Sequence, residues 1–438
     1  MRATPRIALV CLALSLPAVS PGASIAVRAS RLVDPEKGTA TANAVIVVED
    51  GVIKSVGNEV PPGAELIDLG GRTVVPGLMD LHTHLCVAVG HPAGESVRDV
   101  YEALFLRTLV DSTAYRAIQG VVNARSMLEH GFTTVRDVGN AANYADTDLR
   151  RAIEEKLVEG PTVVNAGRII AAFGGQFPVE APRLFRELFG VGHEHIGVLR
   201  GERPGLGEPE YLYADTRDEM RKAVRENVAY GARVIKIVMD DQPYAYDAED
   251  VRTIVAEAAR AGRRVCAHSM TDAGARAAAE GGVASIEHGF LLSDETIQLM
   301  KRKGVALVGT DFPRVALKAV GLPEPMYDKL QDRLKRAHKA GLTMAFGTDL
   351  FFNPQGYSRG SMSSAYVDVY KEAGLPPADV LRMMTTNAAR VLGVEAERGA
   401  LRPGMKADLI ALDGDPLQDL EALKRVVFVM KDGRVVKR

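Results

Sequence analysis

Hydrophobic and polar positions alternate with a short period at both ends of the chain and with a longer one in between. Residues 25–28, 44–48, 52–56 and 65–69 are short β-rich runs separated by turn residues, among them Glu49-Asp50-Gly51 and Gly70-Gly71. Asp-Gly between two such runs is a hairpin signal, because the favoured two-residue turn needs positive φ. The C-terminal end repeats the pattern at 408–412, 426–430 and 434–436, with Asp432-Gly433 at the turn. Two β-rich ends around a different middle predict one small domain, a β-sandwich assembled from residues 27–75 and 396–438.

The middle alternates strand-like and helix-like segments. Apolar runs fall at 74–82, 133–138, 162–170, 234–239, 265–270, 285–289, 305–310 and 343–348. Between most of them lie segments rich in Ala, Glu, Arg and Leu, such as 216–230, 248–261 and 328–340. Eight β-runs with intervening helices predict an α/β class fold, a (β/α)8 TIM barrel over 76–395, rather than a doubly wound sheet. Residues 174–215 are too long for an ordinary βα loop and read as an insertion at the barrel mouth.

Composition narrows the class. The chain has 438 residues, 47% of them hydrophobic and 25% charged, as expected of a globular protein with a large core. A net charge of −2 without long charged runs argues against a nucleic-acid partner. Residues 1–26 read as a signal peptide: Arg2 and Arg6 start it, 7–19 are apolar, and small residues follow. Pro17 and Pro21 would break a buried helix there, and Val10 before Cys11 argues against a lipoprotein signal. Cleavage between Ala23 and Ala26 would leave a secreted or periplasmic protein. No later stretch is apolar for the ~20 residues of a membrane span. Cys86 and Cys266 sit in apolar runs and read as buried thiols.

The chemistry gathers where the middle strands end. His82 and His84 follow the first run and, two apart, share a face of extended backbone. His268 ends the fifth run, His288 the sixth and Asp349 the eighth, while Lys236 lies inside the fourth, Val234-Ile235-Lys236-Ile237-Val238. In a barrel these ends meet at one face, where imidazole and carboxylate side chains can hold a metal. Each has an ordinary alternative: a rim histidine, or an N-cap for Asp349. Lys236 fits those alternatives least, since burying an ammonium among aliphatics is costly. A lysine held neutral can add CO2, and the resulting carbamate has two oxygens able to bridge two cations. His91, His130, His193, His195 and His338 have no evident partner and read as surface or capping residues, with His193 and His195 nearest the mouth.

These motifs resemble the amidohydrolase superfamily, in the subset with two metals bridged by a carboxylated lysine. The resemblance rests on P-G-L-M-D-L-H-T-H (76–84), G-F-T-T-V-R-D-V-G (131–139) and G-T-D (347–349). T-N-A-A-R-V-L-G (386–393), G-A-L-R-P-G-M-K-A-D-L-I (399–410) and K-D-G-R-V-V (431–436) extend it over essentially the whole mature chain. It implies His82, His84 and Asp349 on one divalent ion, His268 and His288 on the other, and carboxylated Lys236 between them. Zinc is the first choice, with Mn, Fe and Co compatible with the same ligands. Asp349 would shuttle the proton while the cations polarise a carbonyl and lower the pKa of bound water.

Within the superfamily the chain is most similar to the imidazolonepropionase-like branch, which includes prolidase-like and ochratoxin-hydrolysing enzymes. This implies amide hydrolysis of a small-molecule substrate, an N-acyl or N-aroyl amino acid or a dipeptide, with ochratoxin A the sharpest expectation. It also implies a homo-oligomer, an octamer by resemblance. Relatives often carry Gly-Gly-His after the third strand, where this chain has Gly174-Gly175-Gln176, so a substrate role for Gln176 rests on a different group. Tyr246 and Arg359 are the expected partners of a substrate carboxylate. Tyr244 belongs to a set of aromatics near strand ends, with Phe173, Phe177, Phe185, Phe189, Phe290, Phe312, Phe351, Phe352 and Tyr357, which suggests an apolar pocket. Two rival enzymes are a mononuclear deaminase, which usually has Glu where this chain has Thr271, and a hydrolase of cyclic amides or lactones. A non-catalytic scaffold would be expected to have lost ligands, whereas all six are present.

Overall fold

The computed structural model describes residues 24–91, 104, 111–140, 143–175, 211–242 and 244–438. Residues 1–23 of the expected signal peptide (1–26), Gln176, Phe177, Phe185, Phe189, His193 and His195 lie outside them.

Both chain ends build one eight-stranded sheet. Ile25–Asp34, Thr39–Glu49, Val52–Gly57, Glu65–Asp68 and Thr73–Pro76 come from the N-terminal end, and Leu409–Leu412, Val426–Lys431 and Arg434–Lys437 from the C-terminal end. They meet where Thr73–Pro76 pairs antiparallel with Leu409–Leu412. The two Asp-Gly turns take the expected form, with φ of 50° and 78° at Asp50 and Gly51 and 47° and 75° at Asp432 and Gly433. Their meeting was not legible: a Cβ on Gly51 would lie 2.7 Å from Asp432 O, so the turns stack backbone to backbone.

The side-chain period of two gives this sheet two buried faces. Val74, Leu409, Ala411, Phe428 and Met430 point into a core of its own, with Val27, Ile46 and Ile53. Val75, Ile410, Leu412 and Val429 point the other way, into the main core of the molecule.

The main core surrounds two parallel sheets, of three and seven strands, whose strands follow one another nearly in chain order. Leu78–Thr83, Phe132–Asp137 and Thr162–Asn165 form one part. Ile169–Ala171, Val234–Val238, Arg264–Ser269, Ser285–His288, Ala306–Val308 and Met344–Ala345 continue it, with Tyr211–Tyr213 beside Ile169–Ala171. The series returns to its start: Leu81 N donates to Phe346 O at 2.9 Å, and Asp349 N to His82 O at 2.8 Å. Helices fall between most strands, including Arg217–Ala229, Ala248–Arg260 and Glu324–Lys339. The first two begin at capping boxes, Thr216 with Glu219 and Asp247 with Asp250, which satisfy donors the first helical turn leaves open.

Two expected strands are divided. The run 74–82 breaks at Gly77, whose N–H turns to Asp408 O while Leu78 N turns to Gly131 O, so one apolar run serves both sheets. The run 162–170 is interrupted around Gly167, at φ 68°. Cys86 and Cys266 are buried and free. Among the described residues no helix is long and apolar enough to cross a membrane.

Candidate metal centre

Leu78–Thr83 is buried along its whole length and carries Asp80 and His82 on one face, with His84 just beyond its end. The strand lies tight against residue 347, where a Cβ would stand 2.4 Å from Val308 Cγ1 and 2.9 Å from His82 Cβ; only glycine leaves that room. Thr348 then donates to Asp80 from N at 3.1 Å and from Oγ1 at 2.7 Å. Burial pushes the Asp80 carboxyl up to about 7. Asp80 thus ties the histidine strand to the Gly347-Thr348-Asp349 turn.

The donor atoms of His82, His288 and Asp349 all lie within 4.8 Å of one another. Asp349 Oδ1 is 3.0 Å from His84 Nε2 and 3.4 Å from His82 Nε2, and Oδ2 is 3.8 Å from His288 Nδ1. The His268 ring lies 4.5 Å from the His288 ring, centre to centre, but His268 Nε2 is 3.3 Å from Asp241 Oδ2. Lys236 is buried, pairs in register with Cys266, and forms no ion pair among the described residues. Its charge reaches both His82 and His288. Asp349 does not act as an N-cap: the next helix, Arg359–Ala365, is capped by Ser358.

Electrostatics suit a metal. Burial, reinforced by Lys236, lowers His82; burial, reinforced by His268, holds His288 well below the ordinary histidine range. Both are therefore neutral, the form that ligates. Burial alone would raise Asp349, but His82, His84 and His288 outweigh it and hold the carboxylate well below its usual range. Burial also lowers the Lys236 ammonium, favouring the free amine.

The backbone at this rim is strained. His288, Thr310, Asp349 and Asp241 take φ of 68°, 49°, 58° and 67°, all non-glycine residues in the left-handed region. Such conformations cost about 1–3 kcal/mol each and persist where the surroundings over-determine them.

A further layer was missed by the sequence reading. Glu287 Oε2 lies 2.8 Å from His82 Nδ1, and Glu287 Oε1 accepts from Arg136 Nη2 at 2.7 Å and from Ser285 Oγ at 2.6 Å. Arg136 also donates to Leu81 O and Ser285 Oγ. Thr310 Oγ1 is 2.8 Å from His288 Nδ1. Asp240 accepts from Ser269 Oγ, Met270 N, Thr271 N and Thr271 Oγ1, holding the turn after His268. Glu287 and Arg136 carried the same signal that singled out Lys236, a charge inside an apolar strand.

The expected substrate residues are placed differently. Tyr246 is 5% exposed and its hydroxyl donates to Ala214 O at 2.6 Å, so it does not present a free phenol. Arg359 is buried and donates to Asn353 Oδ1, His84 O, Leu350 O and Val87 O, bracing the chain beyond His84 instead of offering a fork to substrate. Tyr244 is 74% exposed. Phe290, Phe312, Phe351 and Phe352 are buried, so packing accounts for these four, while Phe173 and Tyr357 are exposed. His130 caps the helix Thr113–Glu129, and His338 pairs with Asp379 at 2.7 Å.

Residues 73–436 match the model of the amidohydrolase family. The chain belongs to that family. Over 437 aligned residues it is 31% identical to the ochratoxinase of Aspergillus niger, covering 93% of this chain and 85% of that protein. It is 28% identical to the imidazolonepropionase of Deinococcus radiodurans over 399 residues, covering 88% and 91%. Among solved structures it is similar to a Xaa-Pro dipeptidase with bound methionine, at TM-score 0.76 and 26% identity, covering 95% of this chain and all (100%) of that one. The A. niger ochratoxinase structure gives TM-score 0.74 at 27% identity, with coverage of 95% and 96%. This amidohydrolase is accordingly a hydrolase of C–N bonds, from a family with a TIM-barrel fold whose members usually bind metal.

Proposed function

We propose that this amidohydrolase is an exported enzyme that cleaves the amide bond of N-acyl or N-aroyl amino acids and hydrophobic dipeptides, with ochratoxin A as its sharpest candidate substrate. The observation that carries the reading is the convergence of His82, His288 and Asp349, with buried Lys236 acting on both histidines. Similarity to ochratoxinase and to a Xaa-Pro dipeptidase supports the substrate class.

The donor set fits two divalent cations, zinc first. His82, His84 and Asp349 would hold one and His268 and His288 the other, with Lys236 joining them as its carbamate. When bound, such ions polarise an amide carbonyl and lower the pKa of water. Asp349, ionised and between His82, His84 and His288, would take the proton of the attacking water. The water oxygen bonds to the carbonyl carbon, the C–N bond breaks, and Asp349 returns the proton to the leaving amine nitrogen. Glu287 keeps the proton of His82 on Nδ1, leaving Nε2 free to ligate.

The parallel strands are read as a (β/α)8 barrel over 76–395, and the sheet of both chain ends as a β-sandwich over 27–75 and 396–438. Ile25 and Ala26, inside the signal peptide expected over 1–26, pair with Val48 and Val47, so cleavage at the Ala23 end of the expected range would keep the first strand whole. The mature enzyme would be secreted or periplasmic. Assembly is read as a homo-oligomer, an octamer by resemblance.

Metal analysis combined with a substrate panel tests the reading. Metallated enzyme should release phenylalanine from ochratoxin A, and esterifying the substrate carboxylate should weaken the reaction. Opening of a cyclic amide or lactone, or ring deamination, with no cleavage of acyl amino acids would reassign the substrate. Thr271 argues against deamination because such deaminases usually have Glu there; in this chain it caps the helix Asp272–Gly281 and donates to Asp240.

A further inference from the structure

Two arginines, Arg233 and Arg264, stand at the opposite ends of the same strands, and Arg136 reaches toward them from within its own strand. Arg136, Arg233 and Arg264 line a pocket of about 270 Å³ that has no carboxylate among its lining residues. Arg233 immediately precedes the strand Val234–Val238, and Arg264 opens the strand Arg264–Ser269, four residues before His268. At ~3.3 Å per residue that places Arg264 about 13 Å along its strand from His268, while Arg136 forms the side of the pocket nearest the metal centre.

Other arginines on the neighbouring helices have acidic partners. Arg225 and Arg260 both pair with Glu257, and Arg252 pairs with Glu249. Beside the pocket Arg263 is placed differently. Burial lowers Arg263, next in chain to Arg264, and the charges acting on it are those of Arg233 and Arg150, both repulsive. Its Nε is buried without a hydrogen-bond partner among the described residues. Arg136 has Glu287 as its counter-charge, whereas Arg233 and Arg264 form no ion pair with an acid among the described residues, and guanidiniums so placed create a local positive potential that favours a bound anion.

Two of the three lining guanidiniums are already fixed. Arg264 Nη1 donates to Arg390 O and Val391 O at the end of the helix Thr386–Leu392. A Cβ at residue 393 would lie 3.0 Å from that guanidinium, so Gly393, at φ 75°, lets it rest on the backbone. Arg136 is held by Leu81 O, Ser285 and Glu287. Each nitrogen of Arg136 is thus engaged, whereas Arg264 is held through Nη1 alone, and a planar group held in place suits binding of an oxyanion at little entropic cost.

We propose that this pocket is a binding site for a small oxyanion of the phosphate or carboxylate class, separate from the metal centre. It shares Arg136 with the Glu287–His82 support, so an ion there would draw on the same guanidinium that Glu287 uses.

Calorimetric titration of the mature full-length protein as isolated, with inorganic phosphate and separately with succinate at fixed ionic strength, tests the site. Saturable binding of at least one is expected, weakened about tenfold or more in Arg233→Gln, in line with the loss of a charge-assisted hydrogen bond. The thermal midpoint of the anion-free variant should match or exceed that of the parent, because relieving repulsion costs nothing at an exposed residue. Phosphate alone responding assigns the site to tetrahedral anions, and succinate alone assigns it to carboxylates. Binding that Arg233→Gln leaves unchanged belongs to the metal centre and overturns the proposal. Absence of binding by either anion at millimolar concentration overturns it too.

Discussion

Glu287 Oε2 stands 2.8 Å from His82 Nδ1, and this contact decides which nitrogen of His82 faces Asp349. Burial would raise Glu287, but Arg136, His82 and Lys236 outweigh it and hold the carboxylate down at about 2. An ionised carboxylate accepts only, so Nδ1 carries the hydrogen and Nε2 keeps its lone pair. Glu287→Gln can present an amide donor to the same nitrogen and stabilise the wrong tautomer. Metal affinity or kcat should fall by roughly 10–100-fold, the usual effect of losing such a support. Unchanged metal content and turnover would show that His82 is oriented by something else.

Arg136 is buried with its fork on Glu287, Ser285 and Leu81. Arg136→Met removes the counter-charge and strands a carboxylate in the core. Breaking a buried pair from one side costs about 3–5 kcal/mol. Urea unfolding should register that loss, and a second substitution, Glu287→Leu, should restore part of it.

Lys236→Ala removes the buried amine that the proposed two-metal site requires. Less than the full metal complement and nearly complete loss of activity are expected, with partial rescue by a small carboxylic acid such as propionate. A fully metallated, active variant would falsify the bridging role.

Asp349 is the carboxylate on which His82, His84 and His288 converge. Asp349→Asn should lower kcat by at least ~100-fold, the scale of general acid–base help. Metal content measured on the same sample separates proton transfer from ligation. Near-normal turnover with metal bound would remove Asp349 from the chemistry.

Tyr246 and Arg359 are braces. Tyr246→Phe should cost about 1 kcal/mol for its bond to Ala214 O and leave KM for a carboxylate substrate unchanged. Arg359→Lys should lower stability through lost bonds to the carbonyls of His84, Val87 and Leu350. Its effect on acid and methyl-ester substrates should be equal. A selective rise in KM for the acid would return either residue to the substrate site.

The metal-ligand candidates were legible because each breaks the local pattern: imidazoles at the ends of apolar runs, an ammonium inside one, a carboxylate after Gly347-Thr348. Both Asp-Gly hairpins were legible because their backbone demand is local. The support layer was harder. Glu287 and Arg136 appear as isolated charges 151 residues apart, and only pairing of distant strands shows that each is the other's counter-ion. Gly77 illustrates the same limit, since nothing in the run 74–82 says that its backbone changes partners there.

By itself the sequence determined which residue types stand at strand ends, which stretches alternate with period two or carry helical composition, and which turns need positive φ. These are properties of neighbours along the chain. Tertiary structure decided that Tyr246 and Arg359 spend their donors on backbone carbonyls, that Phe290 and Phe352 pack inward, and that Arg136, Arg233 and Arg264 line one pocket. A polar group's availability depends on which acceptors other segments bring within hydrogen-bonding distance. Those segments lie tens to hundreds of residues away, so local pattern can name the groups but not their partners.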